Sequence, residues 1–452
     1  MENITDKLTE KYNVAAPRYT SYPTVPFWDQ EAFHVDGWLQ RLQDTFDRSK
    51  DVGISLYIHL PFCESLCTYC GCNTRITKNH AVEKPYISHL LKEWGMYKAL
   101  LGNKIRVSEI HFGGGTPTFF EARNLHFLVD ELLKDVLVAD QAVFSFEAHP
   151  ANTSDEHLQT LFDLGFTRLS LGIQDFDPHV QFLINRHQSV ADVERVVSAA
   201  RKIGYRSINF DLIYGLPLQT QEKIAATIGQ SLLLNPDRIS FYSYAHVPWL
   251  KPGQRRFTEF DLPVGQEKLA LYTLGKQLIE RDGYRDVGMD HFAREEDELF
   301  KAAEDGRLHR NFMGYADRYT PLLLGLGVSS ISDAWTCFAQ NVKTVEEYYR
   351  LLDDGQLPIM KGHLLNEEDG CIRQYILDMM CRSFVRLQPD SLLTAAILER
   401  LQPLQEDGLV DVLGMHVQAT VVGKSFLRNI CMAFDQRLHR AVASKNVFSQ
   451  AI

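Results

Sequence analysis

Ile54-Ser-Leu-Tyr-Ile-His-Leu60 runs directly into Pro61-Phe-Cys-Glu-Ser-Leu-Cys-Thr-Tyr-Cys-Gly-Cys-Asn73. The apolar first half reads as a β-strand, and the second half is a loop holding Cys63, Cys67, Cys70 and Cys72 within ten residues. A C-x3-C-x2-C spacing brings three thiolates to one side of a single loop. Three sulfurs hold three irons of a four-iron cubane and leave the fourth iron open to a small molecule, which makes an electron carrier into a potential catalyst. Zinc is the first alternative. It prefers four tetrahedral ligands in two separated pairs, and no second pair follows here. A disulfide framework fits secreted chains, whereas this one starts without a signal-peptide pattern, so a reducing, cytoplasmic setting is expected. Cys337, Cys371, Cys381 and Cys431 are scattered and read as small buried hydrophobes.

With 452 residues the chain is too long for one small core and predicts two or three domains. Its 45% hydrophobic and 23% charged content are those of an ordinary globular enzyme. No apolar stretch approaches the roughly 20 residues that span a bilayer, so no membrane association is expected. A formal net charge of −11 argues against a general phosphate-backbone binder. It leaves room for a local basic pocket.

Outward from the cysteine loop, residues 1–36 read as an irregular arm, with prolines at 17 and 23 opposing a continuous helix. From about 50 to 330, β-branched runs alternate with amphipathic stretches. Strands are predicted at Ile54–His59, Val107–Phe112, Val143–Glu147, Arg168–Ile173, Ser207–Ile213 and Arg238–Tyr244. Helices are predicted at Tyr86–Leu101, with Ile87, Leu90, Leu91 and Trp94 on one face, and at Val190–Ile203, capped by Ser189 with Asp192. Six strands alternating with helices imply an α/β fold with a parallel sheet, open or bent into a partial barrel. In such sheets chemistry gathers at the C-terminal strand ends. There fall the cysteine loop, Gly113-Gly-Gly-Thr-Pro117, Glu147, Gln174-Asp175, Asp211 and Ala245-His246. The division expected is 1–36 arm, 37–345 catalytic domain and 346–452 C-terminal domain. Helices at about 367–386, 391–405 and 422–440 around a hairpin suggest a winged-helix-like module. Residues 366–452 carry ten acidic and nine basic residues, so a packing lid fits better than a nucleic-acid reader.

Each remaining motif has a bland and a functional reading. Gly113-Gly-Gly lets a backbone approach a ligand closely, yet glycine-rich turns also occur for sterics. The stretch is neither a dinucleotide fingerprint nor a P-loop. Glu147 and Asp211 must pair with a structural cation or meet a polar ligand. Gln174 is a turn amide or a ligand contact, and Arg186 is a surface arginine or a carboxylate fork. His59, four residues before Cys63, is a satisfied core histidine or a participant. Lys251, Arg255 and Arg256 form a solvated loop or an electrostatic guide for a polycarboxylate.

The cysteine spacing with Tyr69 before the third cysteine resembles the radical S-adenosylmethionine (SAM) superfamily. Tyr57-Ile-His-Leu-Pro-Phe-Cys63, Gly113-Gly-Gly-Thr-Pro-Thr118, Gly172-Ile-Gln-Asp-Phe176 and Asp211-Leu-Ile-Tyr-Gly-Leu-Pro217 narrow the resemblance. So do Gly288-Met-Asp-His-Phe-Ala293, His309-Arg-Asn311 and Arg18-Tyr-Thr-Ser-Tyr-Pro23. Together they are similar to the oxygen-independent coproporphyrinogen III dehydrogenase family of haem biosynthesis, over nearly the whole chain.

That resemblance implies a partial (β/α)6 barrel of the radical SAM type and one [4Fe-4S] cluster on Cys63, Cys67 and Cys70. It implies two SAM molecules, the first at Tyr57, Gly114 and Glu147. The second is implied at Gly115, Thr116, Gln174, Arg186, Asp211, Ala245 and Ile331. Tyr57, His59 and Cys72 are the candidate catalytic residues, Cys72 not being a cluster ligand in the family. Implied partners are coproporphyrinogen III and a low-potential donor such as flavodoxin or ferredoxin, with the chain a monomer. The implied chemistry is cleavage of SAM to a 5′-deoxyadenosyl radical, hydrogen removal from two propionates and loss of carbon dioxide to leave vinyl groups. One departure stands out: Glu147-Ala-His-Pro150 carries histidine where relatives commonly have aspartate. Rival readings are a haem-binding chaperone, a redox-sensing DNA regulator and a radical enzyme acting on haem.

Overall fold

The structure is a computed structural model describing residues 4–102, 104–249, 251–389, 392–440 and 448. Six strands form its centre in chain order: β1 (Ile54–Leu60), β2 (Arg106–Gly114), β3 (Leu137–Ala148), β4 (Phe166–Gln174), β5 (Ser207–Tyr214) and β6 (Arg238–Ser243). All neighbours are parallel. Helices α1 (Glu83–Leu101), α2 (Ala122–Leu133), α3 (Asp155–Asp163), α4 (Val190–Ile203), α5 (Gln221–Leu233) and α6 (Gln266–Arg281) alternate with them. This is the parallel sheet that the alternation predicts, in the partial-barrel form that the resemblance implies.

Strand alternation sorts the side chains into two sets. Leu56, Ile58, Ile110, Phe112, Phe146, Leu169, Leu171, Phe210 and Phe241 belong to one continuous apolar core shared with the helices. Full burial of each such side chain is worth about 1.5–3 kcal/mol. The alternate residues, among them Glu109, His111, Ser145, Glu147, Ser170, Asn209, Asp211 and Ser240, line a polar cavity of about 280 Å3. Period-two patterning thus sets an apolar outer layer and a polar interior. Local signals hold the helices in place: Ser189 and Asp192 form the expected capping box at the start of α4.

The sheet is larger than the sequence predicts. β7 (Leu323–Leu326) adds a seventh parallel strand beside β1. Antiparallel strands Ile331–Asp333, Cys337–Asn341 and Ile359–Leu364 extend that edge, and His291–Ala293 with Arg285–Gly288 extends the other. The division expected at residue 345 therefore falls inside the sheet, which continues to Leu364.

A second apolar core lies beyond it. Ile372, Ile376, Met379, Ile397, Leu401, Val417, Ile430 and Phe434 pack there with Leu8, Tyr19 and Tyr22 from the chain's first stretch. The first of its helices, Glu367–Arg382, stops four residues before the expected end because Ser383 takes a left-handed conformation at φ 55°. The chain then enters a strand, Phe384–Arg386, paired with His416–Ala419, which pairs in turn with Val410–Leu413. The closing helix is broken at Asp435 into Leu427–Phe434 and Gln436–Arg440. The arm is not wholly irregular: Ile4–Tyr12 is a helix that ends before the prolines begin. No described helix is long and apolar enough to cross a membrane.

Candidate active site

The loop after β1 is braced from below by the turn after β2. Gly115 N donates to Leu60 O at 2.8 Å and Thr116 N to Phe62 O at 3.0 Å, so strand-like pairing continues past the sheet into the cysteine loop. The glycines are sterically required. A Cβ on Gly115 would lie 2.7 Å from the Pro61 carbonyl, and one on Gly114, whose φ is +111°, 2.7 Å from the His59 ring. This approach sets Thr116 Oγ1 3.3 Å from Cys63 Sγ.

His59 links the strand to the far end of the loop. Its Nε2 donates to Asn73 O at 2.9 Å, and its Nδ1 accepts from Tyr57 Oη at 3.1 Å. Burial holds its pKa below the ordinary histidine value. With both nitrogens engaged, His59 braces the loop. Tyr57 stacks on His111, centroids 5.9 Å apart, and meets the edge of Phe312 at 4.8 Å.

Cys63, Cys67, Cys70 and Cys72 face one cavity of about 400 Å3 with Gly114, Gly115, Thr116, Glu147, Gln174, Arg186 and Asp211. Arg186, buried on the loop after the short helix Pro178–Ile184, reaches Cys67 Sγ with Nη1 at 3.8 Å and Tyr69 Oη at 3.4 Å. Its Nε donates to Gln188 Oε1 at 3.2 Å and its Nη2 to Gly172 O. Burial works against its charge, but Tyr69 and Cys67 outweigh that and hold its pKa above the arginine value. The alternative of a surface arginine is excluded. Burial pushes the Cys63 thiol up to about 11. Cys70 is held low, first by the hydrogen bond from the Cys72 thiol and then by the Cys72 amide.

The two carboxylates differ. Glu147 accepts from Gly114 N at 3.3 Å and from His111 Nε2 at 3.5 Å. Burial raises its pKa, but the His111 hydrogen bond and charge outweigh this, so it stays below the usual glutamate value. Asp211 has neutral partners, Ser170 Oγ and Asn209 Nδ2, each at 2.9 Å. Burial, then the charge of Glu147, pushes it up to about 6. Glu147, Asp211 and Tyr242 line both this cavity and the barrel interior, so the two spaces adjoin.

Gln174 ends β4 with φ 67° and points into the cavity wall. Ala245 follows β6, outside that wall, and its carbonyl accepts from Gln254 Nε2 at 3.2 Å. Ile331 packs with Trp28, Phe338 and Leu365 in a separate apolar cluster. His149, the departure at the end of β3, lines the cavity and accepts from Ala151 N at 3.2 Å with Nδ1. It caps the 3-10 turn Pro150–Asn152, a task an aspartate also performs. Burial, then the charge of Arg186, depresses its pKa to about 3, so it is neutral beside the guanidinium.

Two residues hold the cysteine loop in ways sequence reasoning missed. Gln254 Nε2 donates to Tyr69 O at 3.1 Å, and Lys251 Nζ to Cys72 O at 3.1 Å. No local pattern signals a contact between segments that far apart in the chain.

Comparison with known proteins agrees with this geometry. The radical SAM superfamily profile matches residues 57–230. The oxygen-independent coproporphyrinogen III oxidase of Escherichia coli K12 is 39% identical, over 98% of both chains. That of Synechocystis is 36% identical, over 99% of this chain and 97% of the relative. The chain belongs to the oxygen-independent coproporphyrinogen III oxidase family. A solved structure of the coproporphyrinogen III oxidase from Escherichia coli, described as a radical SAM enzyme, superimposes with a TM-score of 0.88 at 38% identity. It covers 93% of this chain and 97% of that one.

The family implies a [4Fe-4S] cluster and SAM, and the donor set fits them. Cys63, Cys67 and Cys70 open onto one cavity, as a cubane that takes one thiolate per iron corner requires. Sulfur suits iron: the Cys72 groups hold Cys70 low, and the Arg186 guanidinium works toward the thiolate at Cys67, although burial keeps Cys63 and Cys67 above the ordinary thiol value.

Proposed function

We propose that this chain converts two propionate side chains of coproporphyrinogen III to vinyl groups without oxygen, giving protoporphyrinogen IX for haem synthesis. At each propionate a hydrogen atom leaves the β-carbon, the bond to the carboxylate breaks, carbon dioxide departs and one electron passes to an acceptor. When bound, the cluster with SAM supplies the means to take hydrogen from an unactivated carbon. The observation that carries this reading is the single cavity shared by Cys63, Cys67 and Cys70 with Gly114, Glu147, Gln174, Arg186 and Asp211.

In this reading the three thiols hold one cluster. Tyr57, Gly114 and Glu147 contact a first SAM, with Glu147 ionised and able to accept from an amine or hydroxyl. Gly115, Thr116, Gln174, Arg186 and Asp211 contact a second, Arg186 providing the fork for a carboxylate. Tyr57 joins the first set, and Ala245 and Ile331 the second, by resemblance alone. His59 acts by positioning the loop, and Cys72 by donating to Cys70. The barrel wall orients the substrate and excludes water, so that a reactive carbon centre meets the propionate and nothing else.

The reading extends to a monomeric cytoplasmic protein, served by a small low-potential donor, that binds neither nucleic acid nor membrane. The even charge of the C-terminal module supports the absence of nucleic acid. Anaerobic incubation with coproporphyrinogen III, SAM and dithionite tests the function. Protoporphyrinogen IX by mass and two carbon dioxide per substrate are expected. Intact coproporphyrinogen in a protein that carries its iron would point instead to a chaperone.

A further inference from the structure

A second cavity, of about 410 Å3, opens where the barrel meets the C-terminal module. Small-molecule sites usually enclose roughly 300–1,000 Å3. Of its lining residues, Tyr214 and Ser243 are the last of β5 and β6, and Leu269 and Tyr272 belong to α6. Lys424, Leu427 and Arg428 come from the turn and closing helix of the module. The cavity thus lies at the same end of the sheet as the thiols. Arg18 lines it too, and its guanidinium stands 5.6 Å from the ring centroid of Tyr242, which lines the thiol cavity. Tyr242 therefore stands between the two spaces.

Lys251, Arg255 and Arg256, expected as a guide for a polycarboxylate, line neither space. The second cavity has cations of its own. Arg18, Lys276, Lys424 and Arg428 line it against two acids, Glu280 and Asp290, in a chain of net charge −11. Lys276 is committed to Asp286 and Glu280. Asp290 takes Arg18 at 3.3 Å. Lys424 is exposed and enters no ion pair among the described residues. Arg428 is buried and donates to the carbonyls of Ala16 and Pro17, which fixes the arm that carries Arg18. Another cation adjoins the wall: Lys268 Nζ donates to Tyr244 O at 3.1 Å and lies 6.0 Å from the Tyr214 ring centroid. Burial, then the charges of Arg428 and Arg18, depresses its pKa to about 8. Like charges held this close and partly out of water repel, and an anion in the cavity would offset that repulsion.

We infer that this cavity is the subsite for carboxylates of the tetrapyrrole that do not react, held here while a reacting propionate enters the thiol cavity. The inference rests on the decarboxylation proposed above. A pyrrole edge bearing propionates presents apolar ring and methyl groups beside an anion. The cavity offers the complement: Tyr214, Tyr272, Leu269 and Leu427 for the ring edge, and Lys424 and Arg18 for the carboxylate. No bond forms or breaks in this space. Its effect is on position, because anchoring one side of the macrocycle decides which side chain lies beyond Tyr242. The C-terminal module thereby acquires a part in recognition, since it supplies Lys424 and Arg428.

The test titrates anaerobically reconstituted, full-length protein with coproporphyrin III, the fluorescent oxidised form of the substrate, and with its tetramethyl ester. Wild type should bind the acid about tenfold more tightly than the ester. Lys424→Gln and Lys268→Gln should each shrink that ratio severalfold, and raise the KM for coproporphyrinogen III more than they lower kcat, with iron content as in wild type. Lys424 is exposed, so its variant stays informative if the Lys268 variant misfolds. Lys424→Arg, which keeps the charge, should keep the wild-type ratio. An ester that binds wild type as tightly as the acid overturns the subsite, as does a ratio unchanged in both Gln variants or lost equally in Lys424→Arg. Wild type that shows the ratio and its loss in the variants, yet yields no protoporphyrinogen with SAM and dithionite, upholds the subsite and defeats the catalytic reading.

Discussion

Arg186 places Nη1 3.8 Å from the Cys67 sulfur while Nη2 donates to the Gly172 carbonyl at the end of β4. One planar group thus ties the thiol loop after the first strand to the rim of the fourth. Arg186→Leu would take the donors from Gln188 Oε1 and Tyr69 Oη, leave the Gly172 carbonyl with only the Gln188 amide, and remove the positive field beside Cys67. A loss of about 1–3 kcal/mol for each unsatisfied group is expected, with a lower melting temperature and less iron per chain. Arg186→Lys, which keeps the charge but loses the fork, should retain more iron than Leu yet bind SAM less tightly.

Single Cys63→Ala, Cys67→Ala and Cys70→Ala changes should each abolish colour and turnover in anaerobic preparations. Cys72→Ala should keep the colour, because Cys72 enters only as a hydrogen-bond donor to Cys70. Iron counting separates the two cases, and full iron in a triple variant of the first three would refute the ligand assignment.

Gly115→Ala would put a methyl group 2.7 Å from the Pro61 carbonyl, a backbone atom that cannot swing aside. The cysteine loop should lift from the β2 turn, and iron incorporation should fall severalfold while circular dichroism stays near wild type. Normal iron content in Gly115→Ala would show that the loop has slack.

Asp211 gives a pH prediction with a definite sign. Its folded pKa of about 6 lies above the usual aspartate value, so its contribution to stability is complete at low pH and is lost as pH rises to about 6. A rise of about two pKa units corresponds to roughly 3 kcal/mol at most. Asp211→Asn should therefore melt higher than wild type at pH 7 and equally at pH 4, while SAM-dependent turnover falls. A lower melting temperature at pH 7 would contradict the environment described.

His149→Asp should be nearly neutral for stability, since either side chain can cap Ala151, whereas His149→Ala should cost about 1 kcal/mol. The carboxylate would also meet Arg186 and change SAM affinity. Thermal melts and the KM for SAM read the two effects separately.

Much of the barrel was legible because local signals and periodicity agreed. All six predicted strands are present, and α4 begins at its capping box. β7 was missed because Leu323-Leu-Gly-Leu326 is short and wholly buried, with no alternation to mark it. The break after Arg382 was missed because a left-handed serine leaves no pattern in a single sequence. Gly114, Glu147, Gln174 and Asp211 line one cavity because parallel topology sends those strand ends to one side, whereas Asp175 pairs with Gln219 and Thr227 instead. Arg186 contacting Cys67, Gln254 bracing Tyr69 and Lys251 reaching Cys72 were not legible, since each depends on how distant loops fold back. Tyr57, Ala245 and Ile331, carried by resemblance, are not among the residues lining the cavity.

The mixed second core dictates an order of assembly. The fully buried side chains of the barrel core come from Trp38 to Leu352, with Phe33, Leu357, Ile359 and Leu364 packed against them, so that core can consolidate while translation of later residues continues. Leu8, Tyr19 and Tyr22 have no such option: their partners include Ile430 and Phe434. Leu8, Tyr19 and Tyr22 can therefore be buried in this core only after Ile430 and Phe434 have been synthesised.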